Sequence, residues 1–361
     1  METATVTKQA SEKIFKLVDP LDWSQLRAFF WEAHTTASSS SDVDWEKLAG
    51  FIAERCPKSK AHSAAAYKTA FDNLAARYPE THEIFSNHGA GQRLWTKVLY
   101  DEVYRAFAFK PVFMNLGFVE LGPEPMPFTL PPPEEPFRPF IQMYRHVLKH
   151  ADLKDKDVLE IGCGAGGGAA FIARNYQPRS VTGIDLLPVN IAEAEARGPA
   201  PGLTFAVGDA TALEFPDNSF DVVVNIESSH CYSSIEKFFG EVKRVLKPGG
   251  VFLFADHRPV KDEWGPDRTL AALEQQLRET GLSLLNYEDI TPNINAASDS
   301  LNMGKEFMLT MSGIRGFEQT HFREMLHCRG TKNYEKLKSG EWQYCYYALQ
   351  KTAEVPFAQK V

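Results

Sequence analysis

Several short stretches of this chain combine residue types that can bind and react. Glu160-Ile-Gly-Cys-Gly-Ala-Gly-Gly-Gly168 follows an apolar run and opens a helical one, so Gly162, Gly164 and Gly166 let the backbone approach a ligand where a Cβ would collide. The next apolar run ends in Asp185, about 20 residues downstream, where a carboxylate can accept both hydroxyls of a ribose. The run after it ends in Gly208-Asp209-Ala210, a second carboxylate suited to an adenine amino group. His230 directly follows the fourth run, and a neutral imidazole there can take a proton from a hydroxyl as a new bond forms. Glu227 is placed to orient that imidazole or to hydrogen-bond a cofactor, and Ser228 or Ser229 to position substrate. His257, beside Asp256 on the fifth run, is either a rival base or half of a loop-ordering pair.

These residues need a scaffold that brings successive strand ends to one rim. Short apolar strands alternate with helical segments after Phe137, the signature of βαβ units and a parallel sheet. Strands are expected at 157–161, 180–184, 203–207, 220–226 and 251–255, with two more at 284–290 and 342–349. Helices are expected at 169–175, 188–196 and 235–246, the last stopped by Lys247-Pro-Gly-Gly250. The expected fold is therefore α/β, a Rossmann-like doubly wound, mostly parallel seven-stranded sheet with an N-terminal helical extension and a helical lid or insertion. Asp157 and Asp221 fall at strand starts, the wrong rim for ligand, and read as structural. The loop spacing is G-x-G-x-G, whereas an NAD-binding fold uses G-x-G-x-x-G to seat a pyrophosphate on the helix N-terminus.

Before the sheet, apolar residues recur at helical spacing around Trp23 to Phe30, Trp45 to Ile52 and Tyr67 to Leu74. Ser41 or Asp42 is expected to cap the second of these helices, and another helix is expected over 92–106. The prolines of 122–136 exclude both helix and central strand. The expected domains are 1–84, a helical extension; 85–136, a helical and proline-rich lid and linker; and 137–361, the ligand-binding fold.

The order and spacing of Glu160 to Gly166, Asp185, Gly208-Asp209-Ala210, Phe220-Asp221-Val-Val-Val and Leu246-Lys-Pro-Gly-Gly250 resemble the class I S-adenosylmethionine (SAM) methyltransferases. Within that superfamily, Val224 to Tyr232, Phe254 to Pro259, Phe113 to Phe118 and Phe140 to Tyr144 are similar to the phthiotriolone and phenolphthiotriolone dimycocerosate O-methyltransferase group, in which Leu stands at the position of His257. The resemblance implies SAM as cofactor and S-adenosylhomocysteine (SAH) as product. It implies a cofactor site of Glu160, Gly162, Cys163, Gly164, Gly166, Asp185, Leu186, Asp209, Ala210, Asn225 and Gln142. The expected catalytic residues are His230, Glu227 and His257, and the expected substrate contacts are Ser229, Tyr232, Phe118 and Met308. An apolar, lipid-like or polyketide-like alcohol methylated on oxygen is the implied substrate. Sterol- or tocopherol-like C-methylation, or a SAM-fold protein that catalyses a non-methylating step, are the alternatives.

The bulk composition agrees. The 361 residues carry 39 Lys and Arg against 47 Asp and Glu, a net charge of −8 that disfavours nucleic acid as a partner. No window approaches the ~18 consecutive apolar residues of a membrane span and the first ten residues lack a signal-peptide pattern, so a cytoplasmic location is expected. Cys56, Cys163, Cys231, Cys328 and Cys345 have no ligand spacing and read as reduced thiols, and no metal is expected. Aromatics Phe113, Phe118, Phe128, Phe137 and Phe140 read as a lid lining or as a hydrophobic cover for the sheet. Met303, Phe307, Met308, Met311, Ile314 and Phe317 read as a pocket wall or as helix packing. The N-terminal helices have three readings: a lid, a homodimer contact, or a docking element for a biosynthetic partner.

Overall fold

The computed structural model describes residues 21, 23–57, 59–85, 90–91, 93–98, 111–122, 128–312 and 316–352. They divide into two compact units, one drawn from 1–109, 231–234 and 311–314, the other from the remainder.

In the first unit, helices α1 (Trp23–Thr36), α2 (Trp45–Arg55) and α3 (Ala64–Arg77) precede a 3-10 segment, Pro79–Phe85. Their i, i+3, i+4 apolar positions meet in one core of Leu26, Phe29, Phe30, Leu48, Ile52, Tyr67, Phe71 and Leu74. Asp44, not Ser41 or Asp42, caps α2, its carboxylate accepting from the Lys47 N–H. The core continues through Leu94, Trp95 and Val98, so the expected boundary at 84 falls inside it. Residues 93–98 of the expected 92–106 helix are helical, and 99–106 lie outside the described residues.

The second unit opens on a 3-10 segment, Pro132–Phe137, and α4 (Arg138–Leu148). Of the prolines expected to exclude helix here, Pro132 and Pro133 sit at the first positions of the 3-10 segment, where no N–H donor is needed, Pro136 lies inside it, and those at 123–127 fall outside the described residues. There follow β1 (Asp157–Ile161), α5 (Gly167–Asn175), β2 (Ser180–Asp185), α6 (Pro188–Ala196), β3 (Leu203–Val207), β4 (Phe220–Ile226), α7 (Ile235–Val245) and β5 (Leu246–Pro259). The chain closes with α8 (Leu270–Glu279), β6 (Ser283–Asp289), α9 (Thr291–Met311), α10 (Gly316–Met325), α11 (Lys332–Ser339) and β7 (Trp342–Gln350). The seven strands lie in the order β3-β2-β1-β4-β5-β7-β6, parallel except β7, which runs antiparallel to both neighbours. β4 is buried along nearly its whole length, as a central parallel strand covered on both faces must be.

At the rim where the parallel strands begin, Lys247 donates to Asp157 and Asp221 at 2.8 Å each, the structural role expected of those acids. β5 extends well beyond 251–255, so His257 lies inside a paired strand, opposite Tyr344, rather than at a strand end. α9 buries Ile294, Ala297, Lys305 and Leu309, with Met308 half-buried. Met303, Phe307 and Met311 are exposed at 83%, 66% and 64%, so they do not pack this helix as one reading expected; Ile314 lies outside the described residues.

Candidate active site

The rim at the carboxyl ends of β1, β2, β4 and β5 gathers most of the residues singled out from sequence. The β1 loop is clasped to β2: the Gly162 and Cys163 N–H groups donate to the Ile184 carbonyl, and the Gly164 N–H donates to Asp185 Oδ2 at 3.0 Å. Asp185 Oδ1 accepts from the Leu187 N–H (3.0 Å) and Asn190 Nδ2 (2.9 Å). Three donors leave room on a carboxylate with about four lone-pair directions. Burial raises the Asp185 carboxyl despite these bonds. Gly166 caps α5 with φ +78°, and a Cβ there would lie 2.6 Å from Ala194 Cβ and 2.7 Å from the Phe205 ring. Packing within the fold therefore requires glycine at 166.

Glu160 is buried at the head of this loop. Its Oε1 accepts from the Tyr144 hydroxyl at 2.6 Å, and its Oε2 has no partner among the described residues. Burial pushes the carboxyl up to about 7. Asn225 is buried and donates to the Ile161 carbonyl and to Ser228 Oγ, both at 2.8 Å. Asp209 Oδ1 accepts from the N–H and hydroxyl of Thr211, Ala210 and Cys163 are buried, and Leu186 and Gln142 are half-buried.

The second cluster centres on Asp256, a wholly buried carboxylate. Its Oδ1 accepts from His230 Nδ1 at 2.9 Å and from the His257 N–H at 2.8 Å. Its Oδ2 accepts from the Ser229 hydroxyl at 2.6 Å and the His230 N–H at 3.0 Å. Arg258 Nη1 stands 3.2 Å from Oδ2, while that guanidinium also donates to Ser229 Oγ and the His257 carbonyl. Burial works against ionisation, but the charges of His230 and Arg258 and the hydrogen bonds outweigh it and hold Asp256 well below the ordinary carboxylate range. Asp256, not Glu227, thus orients His230. Ser229, expected to contact substrate, spends its hydroxyl inside this network.

Glu227 occupies a strained conformation, φ +53°, and its Oε2 accepts from the Leu116 N–H (2.8 Å) and the Tyr344 hydroxyl (3.0 Å). Burial lifts it to about 7. His257 is buried against Trp342, with ring centroids 5.4 Å apart, and burial lowers it to about 4, so it is neutral. His230 keeps 23% of its side chain exposed, the more accessible imidazole of the pair. His230, Asp256 and His257 offer donor atoms within 4.8 Å of one another. The Asp256 oxygens are already filled by four donors, a poor start for a metal ligand.

Other expectations resolve differently. Phe118 is buried with its ring stacked on His146 at 4.2 Å, and Phe113 packs on Phe137, Phe140 and Tyr144, which favours a hydrophobic cover. Tyr232 and Met308 are half-buried. His327 lies in the turn after α10, buried with its ring 5.7 Å from that of His257. Arg258, Tyr344 and Lys305 were not singled out from sequence, and only the β5–β7 register brings Tyr344 opposite the site.

Residues 159–254 match a family described as a methyltransferase domain. A phthiotriol/phenolphthiotriol dimycocerosates methyltransferase of Mycobacterium tuberculosis is 35% identical over 278 residues, 76% of this chain and 99% of that protein. The chain belongs to this methyltransferase family. The methyltransferase is also 36% identical, over 67% of its own length and 84% of the relative's, to a fatty-acid O-methyltransferase of Mycolicibacterium smegmatis. Its fold resembles the crystal structure of the cyclase SpnF, with a TM-score of 0.55, 22% identity and coverage of 72% of this chain and 96% of that one. It likewise resembles a putative sarcosine dimethylglycine methyltransferase from Galdieria sulphuraria, with a TM-score of 0.54, 17% identity and coverage of 72% and 99%. SAM is the cofactor of the methyltransferase. The residues present fit it: the unpartnered Glu160 Oε2 suits a cationic ligand group, and Asp185 retains accepting capacity. Among the described residues no helix is long and apolar enough to cross a membrane.

Proposed function

We propose that this methyltransferase methylates a hydroxyl oxygen of a lipid-like or polyketide-like acceptor, with His230 as general base. The observation that carries the reading is the 2.9 Å contact between His230 Nδ1 and the ionised Asp256. It holds the ring proton on Nδ1 and leaves Nε2 with a lone pair, the arrangement a base needs. Bound SAM supplies an electrophilic methyl group on sulfur. The protein's part is then to align the acceptor oxygen and to remove its proton at His230 Nε2. The names of the two relatives above support a lipid-like acceptor, and that of the second supports transfer to oxygen. Product mass spectrometry and NMR across fatty and polyketide alcohols test the reading; a methyl placed on carbon overturns it.

In this reading Glu160 Oε2, Asp185 and Asp209 hold the cofactor's cationic group, ribose and adenine amino group. Asp185→Asn keeps the shape but turns two acceptors into one, and losing charge-assisted hydrogen bonds costs on the order of 1.5–3 kcal/mol. SAH affinity measured by calorimetry is expected to weaken at least about tenfold. Unchanged affinity would remove Asp185 from the ribose site.

The N-terminal unit has its own core, and we assign it to acceptor handling or partner docking rather than to the cofactor. A chain starting at residue 110 is expected to retain SAH binding while turnover of a lipid alcohol falls; loss of SAH binding would make residues 1–109 integral to the cofactor fold.

A further inference from the structure

Lys305 projects from the buried face of α9, is only 8% exposed, and its Nζ has no hydrogen-bond partner among the described residues. Burial lowers the Lys305 ammonium to about 8 and no described group accepts a hydrogen bond from it, so a buried cation this short of counter-charge points to one that arrives with a ligand. The described groups that interact with Lys305 electrostatically are Glu227, Cys328 and His327. The thiol of Cys328 is pushed by burial up to about 11 and stays neutral, and His327 is held neutral well below the usual imidazole range. Glu227 is already taken up by Leu116 and Tyr344 and forms no ion pair with Lys305. His327, which feels the charge of Lys305, has its ring 5.7 Å from that of His257, which in turn lies 4.7 Å from the ring of His230, so a chain of packed rings links the ammonium to the proposed base.

We propose that Lys305 receives a carboxylate of the acceptor, which is then a hydroxy acid, held by its acid and methylated on its hydroxyl. This rests on the hydroxyl-methylating role of His230 given above. Apart from Glu227, whose carboxyl burial lifts to about 7, the groups around this ammonium are neutral, which matches a monoanion; a phosphate dianion would call for further cationic or N–H donors. The carboxylate is the anchor and not the nucleophile, because a carboxylate has no proton to lose and would leave the His230–Asp256 pair idle.

Calorimetric titration of the full chain saturated with SAH, using decanoate and decan-1-ol as probes, tests the anchor without turnover. The wild type is expected to bind decanoate at least about tenfold tighter than decanol. Lys305→Met should abolish that preference with SAH affinity retained, and Lys305→Arg should keep most of it. Equal binding of the two probes by wild type, no binding of either, or a preference that survives in Lys305→Met each overturns the proposal, and should Lys305→Met fail to fold, the wild-type and Lys305→Arg titrations decide. A mass-spectrometric arm with hydroxydecanoic acids expects a methyl ether with a free carboxylate, whereas a methyl ester overturns the anchoring role. If His230→Ala remains active while the decanoate preference stands, the base assignment fails and the Lys305 site does not.

Discussion

His230→Ala is expected to lower kcat by about 10²–10⁴, the usual worth of general-base assistance, while SAH affinity stays nearly unchanged. The separation follows from the geometry. His230 lies on the β4 side of the rim and binds Asp256 through Nδ1, whereas the unpartnered Glu160 oxygen and Asp185 belong to the β1 and β2 ends. The wild-type rate should fall on the acid side as His230 Nε2 takes up a proton, and the site carboxyls Glu160 and Glu227, both lifted by burial to about 7, add to that fall. Asp256 adds no second proton there, since its carboxyl remains ionised well below the ordinary range. In His230→Gln most of the rate should be lost and the acid limb should become shallower. If His230→Ala is nearly as active as wild type and His257→Ala is inactive, the proton goes to the neighbouring strand instead.

Asp256→Asn should damage both activity and stability. The amide can present an N–H to His230 Nδ1 and turn the imidazole to the tautomer whose Nε2 carries the proton, so kcat should drop by a factor comparable to the His230→Ala loss. The same change strips the buried Arg258 guanidinium of its counter-ion, and breaking one side of a buried pair costs about 3–5 kcal/mol. The folded carboxyl titrates below its unfolded value, so its contribution is present above the unfolded pKa and is lost as pH falls through the folded one. Urea denaturation should therefore show the wild type losing its advantage over Asp256→Asn only in strong acid. Pairing Asp256→Asn with Arg258→Met should recover part of the stability and none of the activity. A variant within tenfold of wild type in kcat and equally stable would show that the carboxylate neither orients the base nor holds the strand.

Much of the scaffold is legible because its signals are local. Five parallel strands, the glycine loop and the acids Asp185 and Asp209 follow from apolar runs that end in glycine or carboxylate, each readable within a dozen residues. The partner of His230 was not legible in this way. Glu227 is three residues away and Asp256 is a strand away, and only the parallel β4–β5 pairing, with Asn225 beside Phe254 and Ile226 beside Ala255, brings Asp256 under the imidazole. Lys305 gives no sequence signal because one lysine on a helix is ordinarily solvated. The Met303, Phe307, Met311 stripe misled because a period of four is shared by opposite faces of one helix, and burial selected the face that carries Lys305.

Residues 290–341 are inserted between two strands that lie side by side, β6 and β7, while the loop and acids assigned to the cofactor precede residue 226. If Lys305 takes the acceptor as proposed, library design confined to α9 is expected to change which molecule is methylated while SAH affinity stays unchanged.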